Sequence, residues 1–146
     1  MGLEIERKFL VTDDSYRSLA YDSREIAQGY LSREPERTVR VRLADGRGKL
    51  TVKGITRGCV RAEYEYDIPE GDAREMLEMC AGRVIRKTRW LVDYAGRVWE
   101  IDEFHGDLAP LTVAEVELPD ENSEVVLPPF VGKEVTGDPS YYNSML

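Results

Sequence analysis

The chain has 146 residues, 42% hydrophobic and 33% charged, a globular composition that is neither disordered nor membranous. Acidic residues outnumber basic ones 28 to 20, and the net charge of −8 argues against a general nucleic-acid binder, which is normally basic. A chain this long buries ~68–70% of its unfolded surface, so a single domain over residues 1–146 needs neither disulfide nor metal to fold.

The opening Met1–Glu6 is acidic where a secretory signal is basic and then apolar. No apolar run approaches the ~20 residues that span a bilayer, so no membrane partner is expected. Period-two alternation begins at once, in Leu3–Val11, and marks a strand. Asp13–Tyr21 is a weaker, helical segment with Asp13 or Asp14 as its cap. Strands follow at Ala27–Ser32, Thr38–Ala44, Lys49–Gly54 and Arg61–Ile68, the middle two joined by a hairpin at Asp45-Gly46-Arg47-Gly48. Glu70–Ala81 places Ala73, Met76, Leu77 and Cys80 on one helical face, with Gly82 as its stop. Arg83–Tyr94 and Arg97–Phe104 form a second hairpin around Ala95-Gly96, and Leu111–Leu118 is the eighth strand. The last twenty residues, rich in Pro and Gly, carry no assignable period. Cys59 and Cys80 lack ligand spacing and suit a reducing, cytoplasmic compartment. Short strands joined by hairpins imply an antiparallel sheet or barrel.

The polar phase of these strands is unusual. It carries Glu4, Glu6 and Lys8 on the first strand, Arg40 and Arg42 on the third, and Lys49, Thr51 and Lys53 on the fourth. Arg61, Glu63, Glu65 and Asp67 follow, then Lys87 and Arg89, Glu100 and Asp102, and Glu115 and Glu117. An antiparallel sheet often leaves one face in water, and a solvated charged face accounts for any single strand. Like charges two residues apart stand ~7 Å from each other. Their repulsion is ~0.6 kcal/mol in water but ~2.4 kcal/mol at an effective dielectric of 20. Inside a closed barrel that cost recurs strand after strand unless opposite charge lies between them. Carboxylate pairs without His or Cys suit a hard cation, Mg²⁺ or Mn²⁺, and clustered Arg and Lys suit a polyanion. A chain of phosphates satisfies both.

Glu4-Ile5-Glu6-Arg7-Lys8 resembles the Glu-x-Glu-x-Lys opening of the CYTH family, the triphosphate tunnel metalloenzymes. The likeness continues in order through Gln28-Gly29-Tyr30-Leu31, Val39-Arg40-Val41-Arg42, Leu50-Thr51-Val52-Lys53 and Glu63-Tyr64-Glu65. It ends with Lys87-Thr88-Arg89, Trp99-Glu100-Ile101-Asp102, Ala114-Glu115-Val116-Glu117 and Gly132–Asp138. The resemblance implies a closed eight-stranded antiparallel β-barrel with a few flanking helices, whose lumen binds triphosphate with Mg²⁺ or Mn²⁺ and hydrolyses it to pyrophosphate and phosphate. By the same pattern Glu4, Glu6, Asp102, Glu115 and Glu117 hold metal. Lys8, Arg40, Arg42, Lys53, Lys87, Arg89 and Lys133 hold phosphate, with Lys87 also in the catalytic set. Glu63, Glu65 and Glu100 orient the basic side chains or the attacking water. Adenylate cyclase, thiamine triphosphatase and a non-catalytic polyphosphate-binding module are the alternatives.

Trp90 and Trp99 fall on the apolar phase as packing residues, Tyr30 on the lumen phase, and His105 in a surface loop. With the charged phase inward, Ile5, Phe9, Val39, Val41, Val52, Tyr64, Tyr66, Trp90, Trp99 and Ile101 face outward. The two helices are too short to cover them all, so a homodimer is expected.

Overall fold

The computed structural model describes residues 2–146. Among these are the strands β1 (Leu3–Val11), β2 (Asp22–Ser32), β3 (Thr38–Ala44), β4 (Arg47–Lys53), β5 (Val60–Ile68), β6 (Ala81–Tyr94), β7 (Arg97–Phe104), β8 (Thr112–Glu117) and β9 (Val131–Glu134). The helices are α1 (Tyr16–Leu19) and α2 (Glu70–Glu78), with short 3₁₀ turns at Gly106–Leu108, Pro139–Tyr141 and Asn143–Met145. The sheet runs β5-β4-β3-β2-β6-β7-β8-β1-β9, and β5 returns to β1, so the first eight strands close into the expected antiparallel barrel.

Closure depends on β1. One edge pairs with β8 along Glu6–Leu10. The other is divided: Leu3–Ile5 face β5, while Phe9 and Val11 face Glu134 and Val131 of β9. The two hairpins close as the sequence anticipates, with positive φ at both central residues, Asp45 (52°) with Gly46 (70°) and Ala95 (50°) with Gly96 (80°).

Several boundaries move. β2 starts at Asp22 because Asp22–Ile26 pair with Lys87–Leu91 of β6, although Asp22–Glu25 are exposed and carry no apolar alternation. Helix α2 ends at Glu78, and Ala81 and Gly82 belong to β6, where Ala81 pairs with Tyr30. The Asp13–Tyr21 helix is a single turn; Asp13 Oδ1 instead accepts from the Ser15 N–H at 2.9 Å ahead of it. The C-terminal residues form β9 and two 3₁₀ turns, placed by contacts that their sequence alone does not display.

The main core lies outside the barrel. Phe9, Val92, Trp99, Ile101, Ala114 and Val116 on the outer face are covered by Tyr16 of α1 and by Leu118 and Phe130 of the segment after β8. Phe9 and Trp99 pack as tilted rings 5.6 Å apart. Helix α2 covers β3 and β4 through Ala73, approaching so closely that a Cβ at Gly48 would lie 2.7 Å from the Ala73 methyl. The chain itself therefore buries most of the outer surface for which a second copy was expected. Tyr64 and Tyr66 of β5 remain exposed, as does Leu3 of β1 on the same outer face, and the area argument for a homodimer shrinks to the patch around them.

The inner face also departs from expectation, because it is not polar along its whole length. Ile85 lies opposite Gln28, Phe104 opposite Lys87, and Val113 opposite Asp102 and Leu10, so these apolar residues share the face of the charged ones. Ile85, Phe104 and Val113 form a separate cluster, packed by Leu10, Leu108, Leu111 and Leu146. They fill one end of the barrel.

Candidate active site in the barrel lumen

The charged phases of the strands converge on a narrow cavity that opens to solvent. Glu4, Glu6, Lys8, Arg40, Arg42, Lys53, Lys87, Arg89 and Glu115 all line it. The register puts Glu63 beside Lys53, Glu65 beside Thr51, Glu100 beside Glu115, Asp102 beside Arg89 and Glu117 beside Glu6, all on the same inner face. Lys133 is not among them: it is exposed on β9 and does not line the cavity.

The carboxylates gather around β1. Lys53 Nζ bridges Glu4 (2.8 Å) and Glu63 (3.3 Å), and Lys8 Nζ stands 3.8 Å from Glu115. These two lysines do not neutralise the group. Burial and the like charges of Glu115 and Glu4 push Glu6 well above the usual carboxylate range. Glu63 is raised by burial and Glu4, and Glu117 by burial, Glu4 and Glu100. Burial opposes the charge on Glu115 too, but Lys8, aided by Arg89 and Lys87, outweighs it and holds Glu115 low.

The cations gather on β3 and β6. Arg89 forks onto both oxygens of Asp102 (2.8 and 3.0 Å) and reaches Glu100 at 3.1 Å. Lys87 Nζ meets Asp102 Oδ2 at 2.7 Å and lies 5.4 Å from the centre of the Phe104 ring. Asp102, expected among the metal ligands, is therefore placed with the basic side chains, and both of its oxygens are taken. Burial would raise its carboxyl, but Arg89 and Lys87 hold it far below the usual range. Burial presses Lys87 below the usual lysine range, with Arg89 and Arg42 adding to it and Asp102 opposing.

Arg42 is different. It donates from Nε (3.0 Å) and Nη2 (2.8 Å) to the neutral Gln28 Oε1, and burial, Arg40 and Arg89 push it down to about 9. Arg40 donates to Thr51 Oγ1 at 3.2 Å, and its buried Nε has no partner among the described residues. A cluster of buried, incompletely paired guanidiniums is a site for a polyanion.

Sequence reasoning gave no role to several lumen residues, although Thr51 and Arg61 already stood on the polar phase of their strands. Gln28 orients Arg42, Thr51 links Arg40 to Glu65 (3.2 Å), and Arg61 braces Thr38 and the Gly54 carbonyl at the cavity wall. Tyr30 lines the cavity as expected. Asn143 also lines it, from a segment without periodicity, and only the register of the inner face and the fold of the C-terminus reveal it. His105 stays on the surface, hydrogen-bonded to Thr88 at 2.7 Å.

The donors fit a hard divalent cation by their chemistry. Glu4, Glu6, Glu115 and Glu117 are all oxygen ligands, and the raised Glu6 and Glu117 show acidic crowding that such an ion relieves. Among the described residues no three carboxylates form a preorganised cage, so these side chains would hold such an ion without enclosing it.

A family model described as the CYTH domain matches residues 2–142. The inorganic triphosphatase of Acetivibrio thermocellus is 49% identical over 147 residues, spanning 100% of this chain and 94% of that protein. The inorganic triphosphatase of Nitrosomonas europaea is 35% identical over 150 residues, 98% of this chain and 95% of that protein. The solved structure of the inorganic triphosphatase NE1496 superposes with a TM-score of 0.67 at 32% identity, covering 97% of this chain and 95% of that one. PH1012 from Pyrococcus horikoshii, 19% identical, shares the fold with a TM-score of 0.64 over 82% of this chain and 80% of that one. With its Glu-x-Glu-x-Lys strand facing a basic barrel wall, and with the match running over nearly its whole length, this chain belongs to the CYTH-domain family.

Proposed function

We propose that this chain hydrolyses inorganic triphosphate to pyrophosphate and phosphate in the barrel lumen, with Mg²⁺ or Mn²⁺ as cofactor, in a cytoplasmic setting. The observation that carries this reading is the convergence of Lys8, Arg40, Arg42, Lys53, Lys87 and Arg89 on one cavity, with Arg42 facing only a neutral amide. The full-length likeness to two inorganic triphosphatases supports it.

Phosphoryl transfer needs positioning and charge stabilisation more than covalent participation. Arg40, Arg42 and Arg89 hold the phosphate chain extended along the β3 and β6 walls, and Lys8 and Lys53 hold its end beside the carboxylates. Lys87 supplies positive charge as negative charge builds on the leaving pyrophosphate. A divalent cation held by Glu4, Glu6, Glu115 and Glu117 supplies, when bound, Lewis-acid polarisation of phosphate oxygens and of the attacking water. Asp102 keeps Lys87 and Arg89 aimed at the lumen. Glu65 and Glu100 lie 3.7 Å from Arg40 and 3.1 Å from Arg89 and orient those clamps. Glu63, which shares Lys53 with Glu4, takes the proton of the attacking water.

The test is a panel of tripolyphosphate, ATP and thiamine triphosphate with Mg²⁺ or Mn²⁺, scored for phosphate, pyrophosphate and cyclic AMP. Equal amounts of phosphate and pyrophosphate, fastest from tripolyphosphate, are expected. Dominant cyclic AMP would overturn the reading in favour of a cyclase, and binding without turnover would leave a polyphosphate-binding module.

A further inference from the structure

The C-terminal residues lack periodicity, yet three uncharged oxygens of their 3₁₀ turns meet basic side chains. The Tyr141 carbonyl accepts from Lys8 Nζ at 3.2 Å, Asn143 Oδ1 accepts from Lys87 Nζ at 2.8 Å, and the Ser144 carbonyl accepts from Arg33 Nε at 2.7 Å. Lys8 and Lys87 are therefore held alike. Each sits between one barrel carboxylate, Glu115 (3.8 Å) or Asp102 (2.7 Å), and one neutral oxygen of this segment. Lys53 differs, because both of its partners, Glu4 and Glu63, are acidic.

The polarity of the Asn143 amide is fixed from two sides. Arg42 can only donate, so the Gln28 atom facing it is Oε1, and Gln28 Nε2 is left to donate to Asn143 Oδ1 at 3.0 Å. Lys87 also can only donate, and it meets the same oxygen. Gln28 is fully buried, so the middle of this relay is shielded from solvent. An ammonium carries three N–H bonds. Asp102 takes one from Lys87 and Asn143 a second, which fixes the tetrahedral direction of the third on a residue that lines the cavity. A second carboxylate at this place would cancel the charge of Lys87. A neutral oxygen directs the ammonium and leaves its charge for phosphate.

We propose that Asn143 is a positioning residue for the hydrolysis: with Asp102 it aims the Lys87 ammonium, and through Gln28 it ties that ammonium to the Arg42 guanidinium. The inference rests on the lumen being the site of triphosphate hydrolysis and adds that the C-terminal turn is a working part of it.

The test pairs two readouts on the full chain. Heteronuclear NMR of the side-chain ammonium groups resolves its five lysines, with Lys87 assigned by its absence in Lys87→Ala. Proton exchange at Lys87 is slow in the wild type. Asn143→Ala speeds it about tenfold, the scale of one charge-assisted hydrogen bond, and leaves Lys53 unchanged. Asn143→Asp keeps the acceptor oxygen and restores slow exchange, but raises KM for tripolyphosphate because its charge faces the phosphates. In steady-state hydrolysis Asn143→Ala lowers kcat about tenfold and leaves KM within about twofold, since a misaimed Lys87 fails the leaving pyrophosphate rather than the bound substrate. Thermal melts check folding, and Asn143→Ser, one bond too short to reach Lys87, replaces the alanine variant if that one does not fold. An unchanged Lys87 signal, an equal change at Lys53, or a loss confined to KM overturns the inference while the triphosphatase reading stands. A wild type that does not cleave tripolyphosphate sinks that reading, and the role of Asn143 with it.

Discussion

Lys87 and Asp102 meet as an ion pair, 2.7 Å from Nζ to Oδ2, with each side chain only 1% exposed. A pair this deep contributes little net stability over an apolar pair, because both ions lose their hydration. Removing one partner is another matter. Asp102→Ala leaves Lys87 as a buried charge without a carboxylate partner and Arg89 with Glu100 alone, and is expected to lower the unfolding free energy by about 3–5 kcal/mol. Denaturant titration of the metal-free protein measures this. A loss below about 1 kcal/mol, the scale of an exposed pair, would mean that water already reaches the site.

Arg42 should behave in the opposite way. It has no acidic partner, and Arg40 and Arg89 repel it. Arg42→Ala is expected to weaken tripolyphosphate binding by ~1.5–3 kcal/mol, the range for hydrogen bonds to charged groups. The apo protein should melt no lower than the wild type. Calorimetry paired with a thermal melt separates the two effects, and an unchanged dissociation constant would remove Arg42 from the phosphate site.

The carboxylates around β1 predict a trade between stability and metal affinity. Glu6 and Glu117 are direct cross-strand partners, both pushed upward by burial and like charges. Glu6→Gln should stabilise the metal-free barrel by about 1 kcal/mol, the size of one relieved repulsion at intermediate dielectric. The same substitution should abolish the upward shift in melting temperature that Mg²⁺ or Mn²⁺ gives the wild type. A full metal-induced shift in the variant would take Glu6 out of the metal site.

One pH dependence can be assigned away from the lumen. Glu103 accepts from the Tyr16 hydroxyl and from Arg17 Nε (2.8 Å). Burial works to raise its carboxyl, but the bonds from Tyr16 and Arg17 outweigh it and leave the folded-state pKa below the ordinary value. A depressed carboxylate contributes stability that is fully present above the unfolded pKa, about 4.3, and is lost as pH falls through the folded value. The stability gap between wild type and Glu103→Gln should therefore be constant from pH 7 to about pH 5 and close below about pH 4. A gap that stays open in acid would assign the effect to packing of Tyr16.

The sequence reported the strands well wherever alternation and turn chemistry agreed. Asp45-Gly46 and Ala95-Gly96 fixed two hairpins, and Arg97–Phe104 was delimited without error. The inner face was legible because like charges repeat at two-residue spacing on strand after strand. Partnership was not legible. Asp102 and Glu115 look alike in their strands, yet one lies beside Arg89 and the other beside Lys8, a difference set by register between distant segments. Leu10, Ile85, Phe104 and Val113 looked like ordinary hydrophobic residues, although they continue the charged phase and plug the barrel. Asn143 reaches Gln28 across 115 positions and Lys87 across 56, separations at which local pattern carries no signal.

The divided edge of β1 has a consequence for how the protein is made. This strand leaves the ribosome before the others, yet its partners β8 and β9 lie about 100 residues downstream. At 5–20 residues per second it waits roughly 5–20 s with its backbone unpaired on at least one side. Closure then requires long-range pairing, the slow kind of step in β-topologies. Pulse-labelled hydrogen exchange during refolding should find the amides of Glu6–Leu10 protected after those of the β6–β7 hairpin, so the oldest part of the nascent barrel becomes its final seam.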